Sequence, residues 1–114
     1  MLAVGEHVLG HLEPQSIRMA NAFGGGVGGT RQELCGAFSG GVMVIGGLYG
    51  RTDSSQDDQR SCDLAKQYRE AFLAEFGHTQ CEPICEKFQK PDGSHGCDQV
   101  VERAARILLG ILEQ

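Results

Sequence analysis

Cysteine is the residue type in this sequence with the widest range of possible chemistry. Five cysteines occur, at Cys35, Cys62, Cys81, Cys85 and Cys97. A cysteine thiolate binds soft metals and iron–sulfur clusters, and it also attacks disulfides. The N-terminal residues lack the pattern of a secretory signal, so we expect a cytoplasmic protein. In that reducing compartment five cysteines indicate metal ligands, redox thiols or small buried side chains rather than structural disulfides.

Three of the five cysteines fall at predicted helix starts. Cys35 is predicted in the first turns of a central helix, Cys81 in the first turn of a short helix, and Cys97 at the start of the last helix. The positive dipole end of a helix favours the thiolate. Cys81 and Cys85 are four residues apart and so share one helix face, an arrangement that suits two ligands of one cluster. Cys62 is predicted on a surface-like helix, where we expect it to be incidental.

Several function classes are excluded or disfavoured by the same sequence. It has no Cys-x-x-Cys-His motif, which excludes attachment of a c-type haem. The formal net charge of −5 disfavours a nucleic-acid partner, which would need clustered lysine and arginine. No apolar stretch reaches the roughly 18 to 20 residues that span a bilayer. A chain of 114 residues is one domain.

The hydrophobic periodicity predicts helices throughout. No segment alternates with period two, whereas apolar residues recur at spacings of three and four in most segments. The predicted helices run over residues 2–12, 14–23, 30–50, 56–76, 79–88 and 97–112. Capping boxes at 30–33 and 79–82 are predicted to open the third and fifth of them. We therefore expect an all-α fold, a compact single-domain bundle of five to six helices around the central helix.

The pattern assigns an inward face to the long helices. In the helix over residues 56–76 this face is a stripe of one aliphatic and three aromatic side chains, Leu64, Tyr68, Phe72 and Phe76. In the last helix it comprises four apolar side chains, Val101, Ala104, Leu108 and Ile111.

Glycine is the other unusual residue type. It accounts for 17 residues, about twice the usual share. One group forms a loop over residues 24–29, and another interrupts the central helix, where each glycine costs about 1 kcal/mol relative to alanine. A helix accepts that cost when a backbone or a ligand approaches closely. Backbone N–H groups at Gly24, Gly25, Gly26 and Gly36 are therefore the candidate contacts to a bound cofactor.

The segment 35–40, which reads Cys-Gly-Ala-Phe-Ser-Gly, resembles a family of small redox-active proteins. That family is defined by a Cys-Gly-Ala-x-x-Gly motif and three further cysteines, one before the motif and two after it. The loop at 23–28 and the segments 46–50 and 76–81 are similar to the family as well. The chain also resembles the N-terminal domain of split-Soret cytochromes, in which an iron–sulfur cluster is the proposed occupant.

The resemblance implies an all-helical fold and a redox or cluster-binding role. Cys35, Cys81 and Cys97 match the family, and Cys85 is an extra cysteine that can serve as a fourth ligand. The family's first cysteine lies on the first helix, ahead of a stretch like the one that starts at Leu2. We therefore expect that the domain over residues 1–114 lacks part of its first helix, or that this member has lost one ligand.

Three functions follow as hypotheses. In the first, Cys35, Cys81, Cys85 and Cys97 hold an iron–sulfur cluster, or another metal, for electron transfer with a redox partner protein. Zinc is a less favoured variant, with Cys81, Cys85, His95 and Cys97 as ligands. In the second, the protein is a metal-free thiol–disulfide protein that pairs Cys35 with Cys81 or Cys81 with Cys97. In the third, it is a non-catalytic module that forms a homodimer through its glycine-rich helix.

Overall fold

The computed structural model describes residues 1–93 and 96–113. Over these residues it has six helices and no strand, which confirms the all-α prediction. The helices are α1 (Leu2–Leu9), α2 (Pro14–Asn21), α3 (Gly36–Tyr49), α4 (Gln59–Phe76), α5 (Cys81–Lys87) and α6 (Cys97–Leu112). None of the helices in the described part of the chain has the length and apolar character needed to cross a membrane.

Most helix ends lie close to their predicted positions because local signals fix them. Gly10 and Gly77 adopt left-handed conformations, and their N–H groups donate to the carbonyls of Glu6 and Leu73. Each glycine thereby closes the last turn of its helix, α1 or α4, as the αL cap does. Helix α6 begins at Cys97 and ends at Leu112, as predicted.

The predicted start of the central helix at Thr30 is wrong. Arg31 has a φ of 62°, which no residue inside a right-handed helix can adopt. The Thr30 hydroxyl donates to the carbonyl of Gly26 at 2.9 Å, so it folds the chain back on the glycine loop instead of forming the capping box. Helix α3 therefore begins six residues later, at Gly36, with Cys35 as its N-cap. The capping box predicted at 79–82 is also absent, since Gln80 is the N-cap of α5 and makes no side-chain capping bond.

A ladder of aromatic rings forms the centre of the core. Tyr68, Phe72 and Phe76 of α4 follow one another along the predicted inward face, and all three are buried. Phe38 of α3 stacks on Tyr68 with 5.6 Å between ring centroids. Phe88, which caps the end of α5, packs edge-on against Phe76 at 5.7 Å. The ladder thus joins α3, α4 and the end of α5.

Helix α6 presents a slightly different face to the core than predicted. Val100 is 2% exposed, whereas Val101, which was predicted to point inward, is 47% exposed. The buried positions are Val100, Ala104, Leu108 and Ile111. The sequence cannot distinguish Val100 from Val101, because either residue continues a spacing of three or four. Packing against α3 and α4 decides which of the two is buried.

The glycines of α3 allow close packing within the molecule. A Cβ at Gly41 would lie 2.6 Å from the Tyr68 hydroxyl oxygen, and one at Gly40 would lie 2.7 Å from the Met1 nitrogen. The Tyr68 hydroxyl donates to the Ala37 carbonyl at 2.9 Å. These buried glycines are therefore covered by the chain's own helices. This supports the prediction of a close approach at these glycines, whereas Gly46 and Gly47 at the end of α3 are exposed.

Candidate cysteine site

Four of the five cysteines line one cavity of about 420 Å³. Cys35 precedes α3, Cys81 and Cys85 lie on α5, and Cys97 is the first residue of α6. The structure therefore brings together the four cysteines singled out as candidate ligands. The cavity volume falls within the range of small-molecule and cofactor sites. Cys62, the fifth cysteine, is exposed on α4 and does not line this cavity.

The sulfur of Cys85 lies between those of two other cysteines. It is 3.6 Å from the Cys81 sulfur and 3.7 Å from the Cys97 sulfur. A disulfide bond is about 2.05 Å long, so all of these thiols are free. The pairs predicted for a thiol–disulfide protein were Cys35 with Cys81 and Cys81 with Cys97. The sulfur contacts that form instead both involve Cys85.

Two short extended segments bring Cys35 and Cys81 side by side. The Cys35 N–H donates to the Thr79 carbonyl at 2.8 Å, and the Cys81 N–H donates to the Glu33 carbonyl at 2.8 Å. Leu34 and Gln80 form an isolated antiparallel bridge between these bonds. The bridge aligns the beginnings of α3 and α5, so their cysteines open onto the same cavity. The sequence does not predict this bridge, because a single pair of bridging residues produces no alternating pattern of apolar and polar residues.

Cys97 is brought to the cavity by a backbone contact between the end of α5 and the start of α6. The Gly96 N–H donates to the Phe88 carbonyl at 2.9 Å. A Cβ at Gly96 would collide with that same carbonyl oxygen. Glycine is therefore needed at this position for α6 to begin beside α5. As a result the first residue of α6 lies against Cys85.

The glycine loop forms one wall of the site. Of the four candidate cofactor contacts, Gly25 and Gly36 line the cavity, whereas Gly24 and Gly26 are not among its lining residues. A Cβ at Gly26 would lie 2.6 Å from the Cβ of Cys81, and Gly26 has a φ of 72°. Gly26 therefore allows the loop to pack on α5. Gly24 packs on the start of α3, since a Cβ at Gly36 would lie 3.6 Å from its Cα.

In the metal-free protein the environment of the cavity favours the protonated thiol over the thiolate at Cys35, Cys81 and Cys97. Burial, together with the neighbouring Cys85 thiol, raises the pKa of Cys81 to about 12. The same two causes raise the pKa of Cys97 to about 11, although the nearby Arg31 acts in the opposite direction. Burial also raises the pKa of Cys35, despite hydrogen bonds from the Ala37 and Phe38 N–H groups that lower it. The expectation that helix starts would favour the thiolate is therefore wrong here, because burial and the neighbouring thiols favour the protonated form.

A family model with the description "Putative redox-active protein (C_GCAxxG_C_C)" matches residues 1–111. The chain belongs to this redox-active protein family. Its name writes the motif as GCAxxG, whereas this member carries the cysteine first, as Cys35-Gly36-Ala37-Phe38-Ser39-Gly40. No curated protein and no solved structure matches the sequence.

The name of the redox-active family places one cysteine before the motif and two after it. Residues 1–34 contain no cysteine, and four cysteines follow Cys35. Three of those four lie at the cavity with Cys35. The arrangement in this member is therefore a pocket surrounded by thiols, with Cys85 as the cysteine in contact with two others.

The ligand chemistry of the pocket fits a thiolate-bound group. Cysteine thiolates are the usual ligands of iron–sulfur clusters, which take four of them. Over residues 1–93 and 96–113, no three His, Cys, Asp or Glu side chains are arranged to hold a single metal ion. His95, the fourth ligand of the predicted zinc site, lies outside the described residues.

Proposed function

We propose that this redox-active family member binds an iron–sulfur cluster through Cys35, Cys81, Cys85 and Cys97 and transfers electrons to a redox partner protein. The observation that carries the proposal is the convergence on one cavity of four thiols, two from α5 and one each from the beginnings of α3 and α6. Iron–sulfur clusters are held by four cysteine thiolates, and the four cysteines that line this cavity supply that number.

The chain's own residues have distinct parts in this proposal. The four thiols supply the ligands, and a bound cluster supplies one-electron transfer. Cys35, Cys81 and Cys85 are buried, whereas Cys97 is exposed. A partner protein would therefore approach the cluster from the side of the cavity at which Cys97 is exposed. Arg31 also lines the cavity, and its positive charge offsets the negative charge of thiolate ligands.

Iron and acid-labile sulfide analysis of anaerobically purified protein tests the proposal. We expect both elements in whole-number ratio to protein, together with a visible absorbance that is bleached by dithionite. Cys81→Ser and Cys85→Ser are expected to lose most of the iron, and Cys62→Ser is the matched control that retains it. Protein that contains neither iron nor sulfide, even after reconstitution with ferrous iron and sulfide, would contradict the proposal. Zinc without iron would favour the zinc variant.

A second candidate function is favoured by the two sulfur–sulfur contacts of Cys85. Thiols at 3.6 and 3.7 Å need only small side-chain movements to form a disulfide, so the metal-free protein can cycle between dithiol and disulfide forms. Thiol titration before and after treatment with diamide tests this candidate. We expect the loss of two thiols per chain, and an unchanged count would rule it out.

A further inference from the structure

We propose that the metal-free protein reacts with low-molecular-weight disulfides at Cys97, and that Cys85 resolves the resulting mixed disulfide. The inference rests on the second candidate function and names the substrate class and the part of each thiol. The substrate class is a small soluble disulfide that bears carboxylates, such as oxidised glutathione. The product is an internal disulfide between Cys85 and Cys97.

The order of reaction follows from the accessibility of the two thiols. Cys97 is exposed at the beginning of α6, so a soluble disulfide can reach its sulfur. Cys85 is only 7% exposed, and its sulfur is 3.7 Å from that of Cys97. A soluble disulfide therefore reacts with Cys97 before Cys85. Cys85 can act only on a sulfur that is already beside it.

The competing pair, Cys81 and Cys85, is less suited to this chemistry. Cys81 is 5% exposed, so neither sulfur of that pair is accessible to a soluble disulfide. Cys97, in contrast, is exposed, and its sulfur has to approach that of Cys85 by only about 1.7 Å to form the bond.

The preference for an anionic disulfide comes from Arg31. Its side chain lies along the same cavity as Cys97 and is the lining residue that carries a positive charge. A carboxylate-bearing disulfide is attracted to this cavity, whereas a cationic disulfide is repelled. We therefore expect oxidised glutathione to react faster than cystamine, a disulfide that carries two amino groups.

The exchange is balanced as two successive thiol–disulfide substitutions. Cys97 reacts through the small fraction of its thiol that is ionised, since burial and the Cys85 thiol raise its pKa to about 11. This thiolate attacks one sulfur of the small disulfide, the Cys97–sulfur bond forms, and one small thiolate leaves. The Cys85 thiolate then attacks the Cys97 sulfur and displaces the second small thiolate. Two protein thiols are oxidised by two electrons, the small disulfide is reduced to two thiols, and the two protons pass from the protein thiols to the released thiolates.

Intact-mass analysis and peptide mapping test the inference on reduced protein freed of metal by a chelator. After treatment with oxidised glutathione, we expect a disulfide between Cys85 and Cys97 and no glutathione on Cys97. Cys62 is a built-in control, since it is exposed on α4, where its sulfur contacts no other cysteine among the described residues. It is expected to retain glutathione. In Cys85→Ala, with folding checked by circular dichroism, Cys97 should retain glutathione as well.

Three outcomes would overturn the inference. They are a stable glutathione adduct on Cys97 in the wild-type chain, an internal disulfide between Cys81 and Cys85, and no reaction at Cys97 at all. The wild-type map is decisive even if Cys85→Ala fails to fold. If diamide produces a disulfide while oxidised glutathione leaves Cys97 unmodified, the inference fails and the second candidate function stands.

Discussion

Cys85 is the residue whose importance changes most between sequence and structure. At the sequence level it is an extra cysteine beside Cys35, Cys81 and Cys97, without a counterpart in the family pattern. In the fold its sulfur lies within contact distance of both Cys81 and Cys97. Both of the sulfur–sulfur contacts at this cavity therefore involve Cys85. Its thiol also helps to raise the pKa values of Cys81 and Cys97.

The metal-free protein is expected to lose stability as the pH rises above about 9. The folded-state pKa of Cys81 is about 12, against an ordinary value of 9.0. Between these values the unfolded chain releases a proton that the folded chain retains, so rising pH favours unfolding. The stabilisation is complete below the unfolded-state pKa and is lost as the pH approaches the folded-state pKa.

Urea unfolding midpoints measured from about pH 8 to about pH 10.5, with reductant and chelator present, check this prediction. Cys81→Ala serves as the comparison and should show a shallower decline. Equal slopes for the two proteins would show that the Cys81 thiol is not responsible.

At the scale of the elements, helix α3 has two kinds of glycine. Gly41 faces α4, where a Cβ would lie 2.6 Å from the Tyr68 hydroxyl oxygen. Gly46 is exposed, and nothing lies within 4 Å of the position its Cβ would take. The two positions have the same residue type in the same helix and differ in what faces them. They form a matched pair for testing why the helix contains glycine.

Alanine substitution is expected to have opposite effects at these two positions. Gly41→Ala should lower the free energy of unfolding by about 1 to 3 kcal/mol, because Tyr68 is buried and its ring would have to shift. Gly46→Ala should raise it by up to about 1 kcal/mol, since alanine is the better helix former. Chemical denaturation of both variants measures the difference. A stabilised Gly41→Ala variant would show that close packing does not explain this glycine.

At the scale of the whole molecule, the thiol cavity and the aromatic ladder are largely separate. The cavity lies where the beginnings of α3, α5 and α6 meet, whereas Tyr68, Phe72 and Phe76 run along α4. Ile84 and Val100 belong both to the cavity wall and to the core. Most of the packed core is therefore formed by side chains that do not line the cavity.

We expect the protein to retain its helices when metal is removed. A chain of this length buries enough surface to fold without a metal, unlike a zinc finger, whose folding energy comes from its ion. Far-ultraviolet circular dichroism before and after chelator treatment measures helix content. The helical signal should stay nearly constant, while the melting temperature falls if a bound group stabilised the native state. Collapse to a coil spectrum would mean that the occupant, rather than the core, holds the fold.

The sequence by itself determined the helical class, most helix boundaries and the placement of three cysteines at or beside helix beginnings. Glycine C-caps and apolar residues three and four apart are local signals, so α4 and α6 and the stripe ending at Phe76 could be read from neighbouring residues. The candidate ligands could be named for the same reason, since each cysteine's position relative to its helix is a local property.

Only the tertiary structure decided how those cysteines meet. The bridge between Leu34 and Gln80, the contact of Gly96 with Phe88 and the burial of Val100 rather than Val101 all join residues or helices that are apart in the chain. Such contacts leave no periodic signal. The raised pKa values of Cys81 and Cys97 have the same origin, because burial and the nearness of other thiols exist only in the folded chain. Local sequence thus set where each thiol lies on its helix, and long-range packing set its neighbours and its charge.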